Sequence, residues 1–391
     1  MPLRFCTAGE SHGPALTAVI DGLPAGLRVD VGEINRELHR RQVGYGAGGR
    51  MAIEKDTVEI LSGVMEGQTT GAPITLVVQN ADHAKWKDKP IKSLTTPRPG
   101  HADLTGAVKF GYNDLRPTLE RSSARETTMR VAAGALFKQF LAQFGIFVGG
   151  YVRSIGEVVN PEDGNSLRHR YEAAEQNDVR CYDPATAEAA RQRLARVMQD
   201  KDTLGGVLEI FATGLPVGLG SYTQWDKRLD ARIAFAMMSV QAMKGVEIGE
   251  AWNNSTHPGT QVHDGIYLQG DDLVRKTNRA GGLEGGITNG MPILVRVAMK
   301  PIATTLNPQA TVDAATWQPS PTTYERSDFC PVPRAVPILE AMLAYVLADA
   351  LVEKLGGDSL DEMLPRFAAL PKADRKGIRM QGQDHLFWGQ M

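Results

Sequence analysis

The feature that most constrains the fold is a polar segment that runs directly into an apolar helical repeat. Residues 120–126 read Glu-Arg-Ser-Ser-Ala-Arg-Glu and lead without a break into residues 127–144. In the second stretch, apolar side chains recur at helical spacing, at Met129, Ala133, Leu136, Phe137, Phe140 and Phe144. Ser123 and Glu126 have the spacing of a capping box, and Gly145 is a natural stop. The pattern predicts a core helix over 127–144 with a polar N-terminus.

Two arginines stand at the end of this helix where the helix dipole favours anions. Arg121 and Arg125 are cations near its N-terminus. A bound phosphate would account for them, because serine hydroxyls, free backbone N–H groups and guanidinium groups all bind phosphate. The alternative is that both arginines point to solvent or pair with Glu120 and Glu126. The residues alone leave both interpretations open.

Composition excludes several classes of protein. With 391 residues, 42% of them hydrophobic and 23% charged, the chain resembles an ordinary globular protein of one elaborate domain or two. A net charge of -2 provides no basic field for nucleic acid, and we expect no stretch near the ~20 apolar residues that span a membrane. The N-terminus lacks a secretory signal, and the distant Cys6, Cys181 and Cys330 form neither a disulfide framework nor a metal motif. We therefore expect a cytoplasmic protein with no metal site and no nucleic-acid or membrane partner.

The order of strand-like and helical segments favours one fold class. Strand-like patterns occur at 15–21, 27–31, 58–62, 72–79, 149–156, 206–214 and 291–299, and helical patterns at 31–41, 184–198, 229–243 and 337–355. The strands come in turn-linked pairs with long helices between the groups, which favours α+β with largely antiparallel sheets over a doubly wound sheet. We also expect a long loop at 80–99 and a weakly patterned polar tail from about residue 361.

Two histidines lie in short polar motifs. His12 is part of Gly-Glu-Ser-His-Gly at 9–13, just before a strand-like segment, and His101 lies in the proline-braced turn Arg-Pro-Gly-His-Ala-Asp at 98–103. A histidine in such a motif can act as a general acid, because its proton exchanges near neutral pH. The alternative is a structural histidine whose ring is satisfied by its neighbours.

Basic and glycine-rich stretches suggest an anionic ligand. Arg40 and Arg41 precede the glycine-rich loop 44–50, and a second glycine run occupies 281–290. Isolated cations and an acid follow, at Lys300, Arg326, Asp328 and Arg334. Taken singly, such features also suit solvated loops and turns. Neither glycine run has the strand–turn–helix setting of a dinucleotide-binding fingerprint.

Taken together, these motifs resemble the chorismate synthase family from end to end. The matching stretches, in the order of the family, are GESHG at 9–13, RPGHAD at 98–103, RSSARET at 121–127, MRVAAG at 129–134, MKGVEIG at 243–249, GGLEGG at 281–286 and RAVPI at 334–338. The resemblance implies a single catalytic domain over 1–391. It also implies a β-α-β sandwich, whose sheets enclose central helices, and a homotetramer.

The resemblance further implies a reaction. The family converts 5-enolpyruvylshikimate 3-phosphate to chorismate by an anti 1,4-elimination of phosphate and a ring hydrogen, the last common step of the shikimate pathway to aromatic amino acids. It requires reduced FMN without net redox change. By motif matching, His12 would protonate the leaving phosphate, His101 would lie near the reduced flavin, and Asp328 would assist removal of the ring proton.

The same matching assigns binding residues. FMN contacts are expected at Arg121, Ser122, Ser123, Gln241, Ala242, Gly285, Lys300, Pro301, Ile302, Ala303, Thr304 and Arg326. Substrate contacts are expected at Ser11, Arg41, Arg50, Arg125 and Arg334.

One position departs from the family pattern, and two other kinds of function stay open. Ala47 stands where the family loop commonly has arginine, so an anion contact is missing there. The resemblance associates the chain with NADP, yet the sequence has no large insertion and no nicotinamide fingerprint, so we expect an external flavin reductant. The alternatives are a non-catalytic binder of a phosphorylated metabolite, and a phosphotransferase or phosphatase with His12 as nucleophile. A metal enzyme is disfavoured, because His257 and His263 lie outside any metal motif.

Overall fold

Two antiparallel sheets enclose a layer of long helices in this structure, a computed structural model that describes residues 2–46, 55–324 and 328–384. The strands are β1 (Arg4–Ala8), β2 (Ala15–Asp21), β3 (Glu59–Ser62), β4 (Val64–Met65), β5 (Gln68–Thr69), β6 (Ile74–Gln79), β7 (Phe147–Ile155), β8 (Val158–Val159), β9 (Gly206–Thr213), β10 (Met243–Ile248), β11 (Ile266–Gln269), β12 (Asp272–Arg275), β13 (Leu283–Glu284), β14 (Ile287–Thr288), β15 (Ile293–Met299), β16 (Ala310–Asp313) and β17 (Gln318–Pro321). The helices are α1 (Val31–Gln42), α2 (His83–Trp86), α3 (Asp103–Phe110), α4 (Arg116–Ser122), α5 (Thr127–Ala142), α6 (Leu167–Ala174), α7 (Pro184–Gln199), α8 (Leu229–Met238), α9 (Ala251–Asn254), α10 (Gly259–Val262), α11 (Val332–Leu355) and α12 (Leu360–Ala368).

The larger sheets have the orders β1-β2-β6-β3 and β10-β15-β9-β7-β8, and every pairing within them is antiparallel. Residues alternate along β2 because only one face of its sheet meets the helices: Leu16, Ala18 and Ile20 are fully buried. The two sheets therefore supply the outer layers of one hydrophobic core.

The central helices are buried from both sides. Helix α5 packs on β2 and β6 of the first sheet, α11 packs on β7 and β9 of the second, and the two helices pack against each other. A Cβ atom at Gly134 would lie 2.2 Å from the Cβ of Ala341, so the absence of a side chain lets α5 and α11 approach closely. This arrangement confirms the predicted α+β fold, a β-α-β sandwich with antiparallel sheets around central helices.

Helix α11 begins five residues before the predicted start at Pro337. A proline inside a helix is unfavourable because it removes one backbone hydrogen bond. Here, Pro337 has no N–H to donate to the carbonyl of Pro333. In the fold, Arg180 Nη1 donates to that carbonyl oxygen at 2.6 Å, so the acceptor is satisfied from outside the helix. Arg334, which the predicted start at Pro337 left outside the helix, therefore lies in its first turn.

Three other predicted segments differ from the structure. The predicted helix 229–243 ends at Met238, and β10 begins at Met243, because residues 243 and 245–248 pair with β15. The predicted strand at 27–31 is reduced to an isolated bridge between Arg28 and Gln68. The polar tail from 361 begins as helix α12, whose N-cap Ser359 accepts from the N–H of Glu362.

The expectation of no membrane-length apolar stretch is also corrected. Among the described residues, one helix, Val332–Leu355, is long and apolar enough to cross a membrane. However, 89% of its apolar window is buried inside the protein. That burial identifies α11 as the central helix of the sandwich, packed between α5 and the second sheet.

Candidate active site

His12 lies in the loop after β1 and is held against helix α4 by Glu120. The His12 Nδ1 atom is 2.9 Å from Glu120 Oε1, and the His12 backbone N–H donates to Oε2 at 2.8 Å. Burial raises the pKa of the Glu120 carboxyl, but hydrogen bonds and the charge of His12 outweigh burial, so the pKa is lowered. Glu120 is thus an ionised acceptor that takes two hydrogen bonds from one residue.

Helix α2 covers a face of the His12 ring. The ring centroids of Trp86 and His12 are 4.4 Å apart at an interplanar angle of 48°. Asn80 Nδ2 donates to the carbonyls of Glu10 and Gly13, closing the loop that carries His12. The one-turn helix α2 therefore occupies part of the predicted long loop at 80–99 and contributes directly to the site.

His101 belongs to a second hydrogen-bonded group. Its Nδ1 atom is 2.6 Å from Asp103 Oδ1, and Asp103 also accepts from Arg98 Nε at 2.8 Å and Nη2 at 2.9 Å. Burial raises the pKa of Asp103, but the hydrogen bonds from Arg98 and His101 outweigh it and hold that pKa well below its usual range. Unlike Glu120, this carboxylate is shared between a histidine and an arginine.

The segment Lys300–Thr304 packs against the His101 turn. Lys300 Nζ donates to the carbonyl of Gly100 at 3.1 Å, and Arg98 Nη1 donates to Thr304 Oγ1 at 3.2 Å. Between them, the carbonyl of Ile302 accepts from Thr203 Oγ1 at 2.9 Å. Pro301 and Ala303 complete this segment, which lies beside the turn.

The capping box predicted at Ser123 and Glu126 forms only in part. Ser123 Oγ accepts from the Arg125 N–H at 3.3 Å, at the start of a short 3₁₀ turn over Ala124–Glu126. Glu126 accepts instead from Thr7 Oγ1 at 2.6 Å and from Arg130 Nε at 3.0 Å. The tertiary partners of Glu126 therefore replace the local contact that the spacing suggested.

The residues before the capped turn form the end of α4. Arg121 is exposed and donates to the carbonyls of Thr7 and Gly9 at 2.9 and 3.2 Å, rather than pairing with Glu120 or Glu126. Ser123 Oγ also donates to Ser11 Oγ at 3.3 Å, and Ser122 Oγ is buried without a hydrogen-bond partner. The hydroxyl groups of Ser11, Ser122 and Ser123 therefore lie in the same region as the exposed guanidinium group of Arg121.

Gln241 and Ala242 connect this segment to Lys300. Gln241 Nε2 donates to Glu126 Oε2 at 3.3 Å, while Gln241 Oε1 is buried without a partner. The carbonyl of Ala242 accepts from the Lys300 N–H at 3.0 Å. Gly285 lies in the exposed turn between β13 and β14, where its φ of 60° suits glycine. Within the part of the chain that the structure describes, no hydrogen bond joins Gly285 to the other predicted flavin residues.

Three predicted substrate residues meet in what we name the arginine cluster, defined as Arg41, Arg125 and Arg334 with Asp56 and Asp328. Arg125 Nη1 donates to Asp56 at 2.8 Å, Arg334 pairs with Asp328, and Arg334 Nε donates to the Arg41 carbonyl at 2.9 Å. Arg125 is therefore buried in an ion pair with Asp56. The sequence pattern predicts either a bound phosphate, or solvent or pairing with Glu120 and Glu126, and does not indicate Asp56. Among the described residues, this cluster has three guanidinium groups and two carboxylates.

Arg41 is a buried cation whose guanidinium group is not fully hydrogen-bonded. Its side chain is only 4% exposed and, within the described ranges, its nearest carboxylate oxygen is 3.8 Å away on Asp56 and its Nη1 atom has no hydrogen-bond partner. Burial, followed by the neighbouring Arg334 cation, lowers the pKa of Arg41 to about 9. A cavity of about 70 Å³ lies between Arg41, Gln241, Asp328 and Arg334.

Two predicted ligand residues, Arg50 and Arg326, lie outside the described residues, as does Ala47. Sequence reasoning missed Glu120 as the partner of His12, Trp86 as its stacking neighbour, and Asp56 as the partner of Arg125. Of these three residues, only Glu120 could have been noticed in the sequence, because it directly precedes the Arg121 motif. Trp86 and Asp56 reach their partners from distant parts of the chain. No group of three or more potential metal-binding side chains occurs in the described ranges.

In this site, the ionised carboxylates of Glu120 and Asp103 hold two histidines, and the arginine cluster supplies buried cations. This combination is typical of an enzyme that performs acid–base chemistry on an anionic small molecule. A family model described as chorismate synthase matches residues 3–352. Chorismate synthases from Syntrophotalea carbinolica and Aquifex aeolicus are 52% and 51% identical, covering 92% and 93% of this chain and 96% of each relative. The chain belongs to the chorismate synthase family.

A solved structure supports this assignment. A crystal structure of chorismate synthase superposes with a TM-score of 0.78 at 45% identity, covering 94% of this chain and 97% of the other. The family, the lyase class and the place in the shikimate pathway that the motifs predicted are therefore confirmed.

Proposed function

We propose that this chain eliminates phosphate from 5-enolpyruvylshikimate 3-phosphate to form chorismate, with reduced FMN as cofactor. The observation that carries the proposal is the arginine cluster, where the buried Arg41, whose Nη1 atom has no hydrogen-bond partner among the described residues, lines the same cavity as the carboxylate Asp328. A phosphorylated dicarboxylate needs cations to bind, and its elimination needs a base nearby. Family membership supports the identity of the substrate.

The residues present suit FMN. Ser122 Oγ and Gln241 Oε1 are buried polar atoms without partners, and Arg121 is an exposed cation beside Ser123. Hydroxyls and guanidinium groups bind a flavin phosphate, and an amide oxygen can accept from a flavin ring N–H. We assign Lys300–Thr304 to the same cofactor, with Gly285 and Arg326 as further contacts. Reduced FMN would supply an electron-rich ring that assists loss of the ring hydrogen without net redox change.

Each proposed catalytic side chain has a distinct task. His12 gives a proton to the departing phosphate, which turns the leaving group into a weaker base. Asp328 receives the proton removed from the ring, held in place by its ion pair with Arg334. His101, fixed by Asp103, controls a proton near the flavin. The substrate anions are neutralised and oriented by Arg41, Arg50, Arg125 and Arg334, together with Ser11.

Several properties extend this proposal beyond the site. We propose that the chain is a single catalytic domain, that it acts as a homotetramer in the cytoplasm, and that an external reductant supplies the reduced flavin. We also propose that it has no flavin reductase activity of its own. The single domain and the homotetramer follow from the family resemblance, and the external reductant follows from the absence of a large insertion and of a nicotinamide fingerprint in the sequence.

An anaerobic assay of chorismate formation with chemically reduced FMN tests the proposal. Chorismate and phosphate should appear together, and neither should appear with oxidised FMN. Phosphate release that needs no flavin would instead favour the phosphatase alternative, and tight substrate binding without any product would favour a non-catalytic binder.

A further inference from the structure

We propose that Glu120 and Trp86 are positioning residues that fix the tautomer and orientation of the general acid His12. This inference rests on the proposed function for its catalytic meaning. No motif of the sequence assigns a role to either residue, and both act on His12 rather than on the substrate.

Glu120 fixes which ring nitrogen of His12 carries a proton. Both carboxylate oxygens lie near Nδ1, at 2.9 and 3.1 Å, and the carboxylate can only accept. The proton is therefore held on Nδ1. Because Nδ1 and Nε2 are on opposite edges of the imidazole, Nε2 is turned away from Glu120, and it is the nitrogen through which the ring would exchange a proton with a leaving group.

The same carboxylate fixes the backbone of His12. Glu120 Oε2 accepts the His12 N–H at 2.8 Å, and the Glu120 carbonyl accepts the Ser11 N–H at 3.1 Å. One residue of α4 therefore sets both the ring and the main chain of the loop. Glutamine could replace only part of this arrangement, since its amide has one acceptor oxygen and a competing N–H₂ donor.

Trp86 restricts rotation of the ring. It lies over the imidazole with centroids 4.4 Å apart, its own indole N–H donates to Asp82 at 3.3 Å, and Arg116 lies 5.9 Å from the indole centroid. His83 Nδ1 is 3.0 Å from the His12 carbonyl oxygen. The His12 ring is therefore held by α4 at one edge and by α2 at one face.

The charged and titratable groups around His12 come from three segments. Helix α4 contributes Glu120 and Arg116, α2 contributes His83 with the preceding Asp82, and the loop itself contributes Glu10 beside Gly13. Among the described contacts, Glu120 is the charged group that hydrogen-bonds the ring, so its removal should change the orientation and tautomer of His12 most directly.

The decisive experiment compares Glu120→Gln, His12→Ala and the double variant. Glu120→Gln should lower kcat by about tenfold to a hundredfold, with the substrate KM and FMN affinity changed by less than about threefold. In the His12→Ala background, the same substitution should cause no further loss, because Glu120 acts through His12. Additive losses would overturn the proposal, as would wild-type kcat in folded Glu120→Gln.

A second measurement needs no turnover and so is independent of the proposed reaction. With ring-15N-labelled histidine, the His12 signal is identified by its loss in His12→Ala, and its chemical shifts report which ring nitrogen carries the proton. Wild type should show the proton on Nδ1, and Glu120→Gln should lose this preference, because the carboxylate that accepts from Nδ1 is gone. The control Glu172→Gln removes an equal charge from an exposed ion pair with Arg168 and should leave the His12 tautomer unchanged. An unchanged tautomer in Glu120→Gln would refute the role of Glu120.

Glu120→Asp covers the case in which the glutamine variant fails to fold. It keeps the charge but is one methylene shorter, so it cannot reach both the ring and the backbone N–H. We expect reduced kcat with the proton of His12 still on Nδ1. Full activity in this variant would show that the two-point contact is not needed.

Discussion

Arg40 and Arg41 are neighbours on α1, yet they face two opposite electrostatic environments. Arg40 belongs to what we name the core ion network, defined as Arg40, Lys138 and Arg180 with Glu37, Glu175 and Glu340. Arg41 belongs to the arginine cluster. The first group balances three cations with three carboxylates, whereas the second, among the described residues, has one cation in excess.

The pKa values of the two arginines reflect this difference. Burial lowers the pKa of Arg40, but the facing carboxylates of Glu340 and Glu37 outweigh it and raise the pKa well above its ordinary value. For Arg41, burial and Arg334 act in the same direction and lower the pKa to about 9. Removing one partner from a balanced buried network leaves an unpaired charge, whereas the lowered pKa of Arg41 means that its charged form is held at a cost that a bound anion would relieve. This difference is the reason for treating Arg40 as structural and for proposing Arg41 as a ligand-binding residue.

The largest effect should come from breaking the balanced network. Glu340→Gln removes a fully buried carboxylate that pairs with Arg40 and Lys138. Removing one partner of a buried pair leaves an uncompensated charge, so we expect the free energy of unfolding to fall by about 3–5 kcal/mol in denaturant titrations. Glu172→Gln, which breaks an exposed pair with Arg168, serves as the control and should be near wild type. Equal stability of the two variants would contradict a structural role for the network.

The next effect should come from the carboxylate of the arginine cluster. Asp328→Asn keeps size and hydrogen bonding but cannot accept a proton. We expect turnover to fall by about 10²-fold or more with FMN and substrate binding near normal. FMN affinity and turnover at saturating flavin should be measured on the same variant. Weak FMN binding with intact saturated turnover would mean that Asp328 only holds Arg334.

Matched substitutions of the two neighbours should separate their roles. Arg41→Lys removes the guanidinium geometry from the anion pocket, so the substrate KM should rise by about 10–100-fold with little change in stability. Arg40→Lys should lower the free energy of unfolding by about 1–3 kcal/mol and leave KM within about twofold. Thermal unfolding and steady-state kinetics on both variants test this. If the two variants showed the same change in stability and the same change in KM, Arg40 and Arg41 would not have different roles.

The smallest effect should be a pH-dependent stabilisation by sulfate, which keeps its charge across the range tested. Because the folded-state pKa of Arg41 lies below its ordinary value, the charged form destabilises the free protein at pH below about 9, and an anion relieves this. Sulfate should raise Tm by about 1–3 °C at neutral pH, and the gain should decline as pH rises through about 9. Sodium chloride at equal ionic strength and Arg41→Leu are the controls. An equal gain in Arg41→Leu would place the anion elsewhere.

The same contrast explains why sequence reasoning treated Arg40 and Arg41 as one basic pair. Adjacent residues on a helix point about 100° apart, so one faces α11 and Glu340 while the other faces Thr127 and Asp56. The opposing carboxylates are contributed by residues far away in sequence. A local sequence pattern therefore does not indicate whether a buried cation will be paired with a carboxylate.

The sequence by itself determined the local periodicity and the motifs. It placed the core helix that the structure has at Thr127–Ala142, most strands of both sheets, and the motifs that define the family, because these depend on spacing within short stretches. The tertiary structure decided the partners: Glu126 with Thr7, Arg125 with Asp56, Glu120 with His12, and Arg180 with the carbonyl that Pro337 leaves free. Each of these contacts satisfies a buried polar group from a distant segment, and burial is a property of the packed chain rather than of its sequence order.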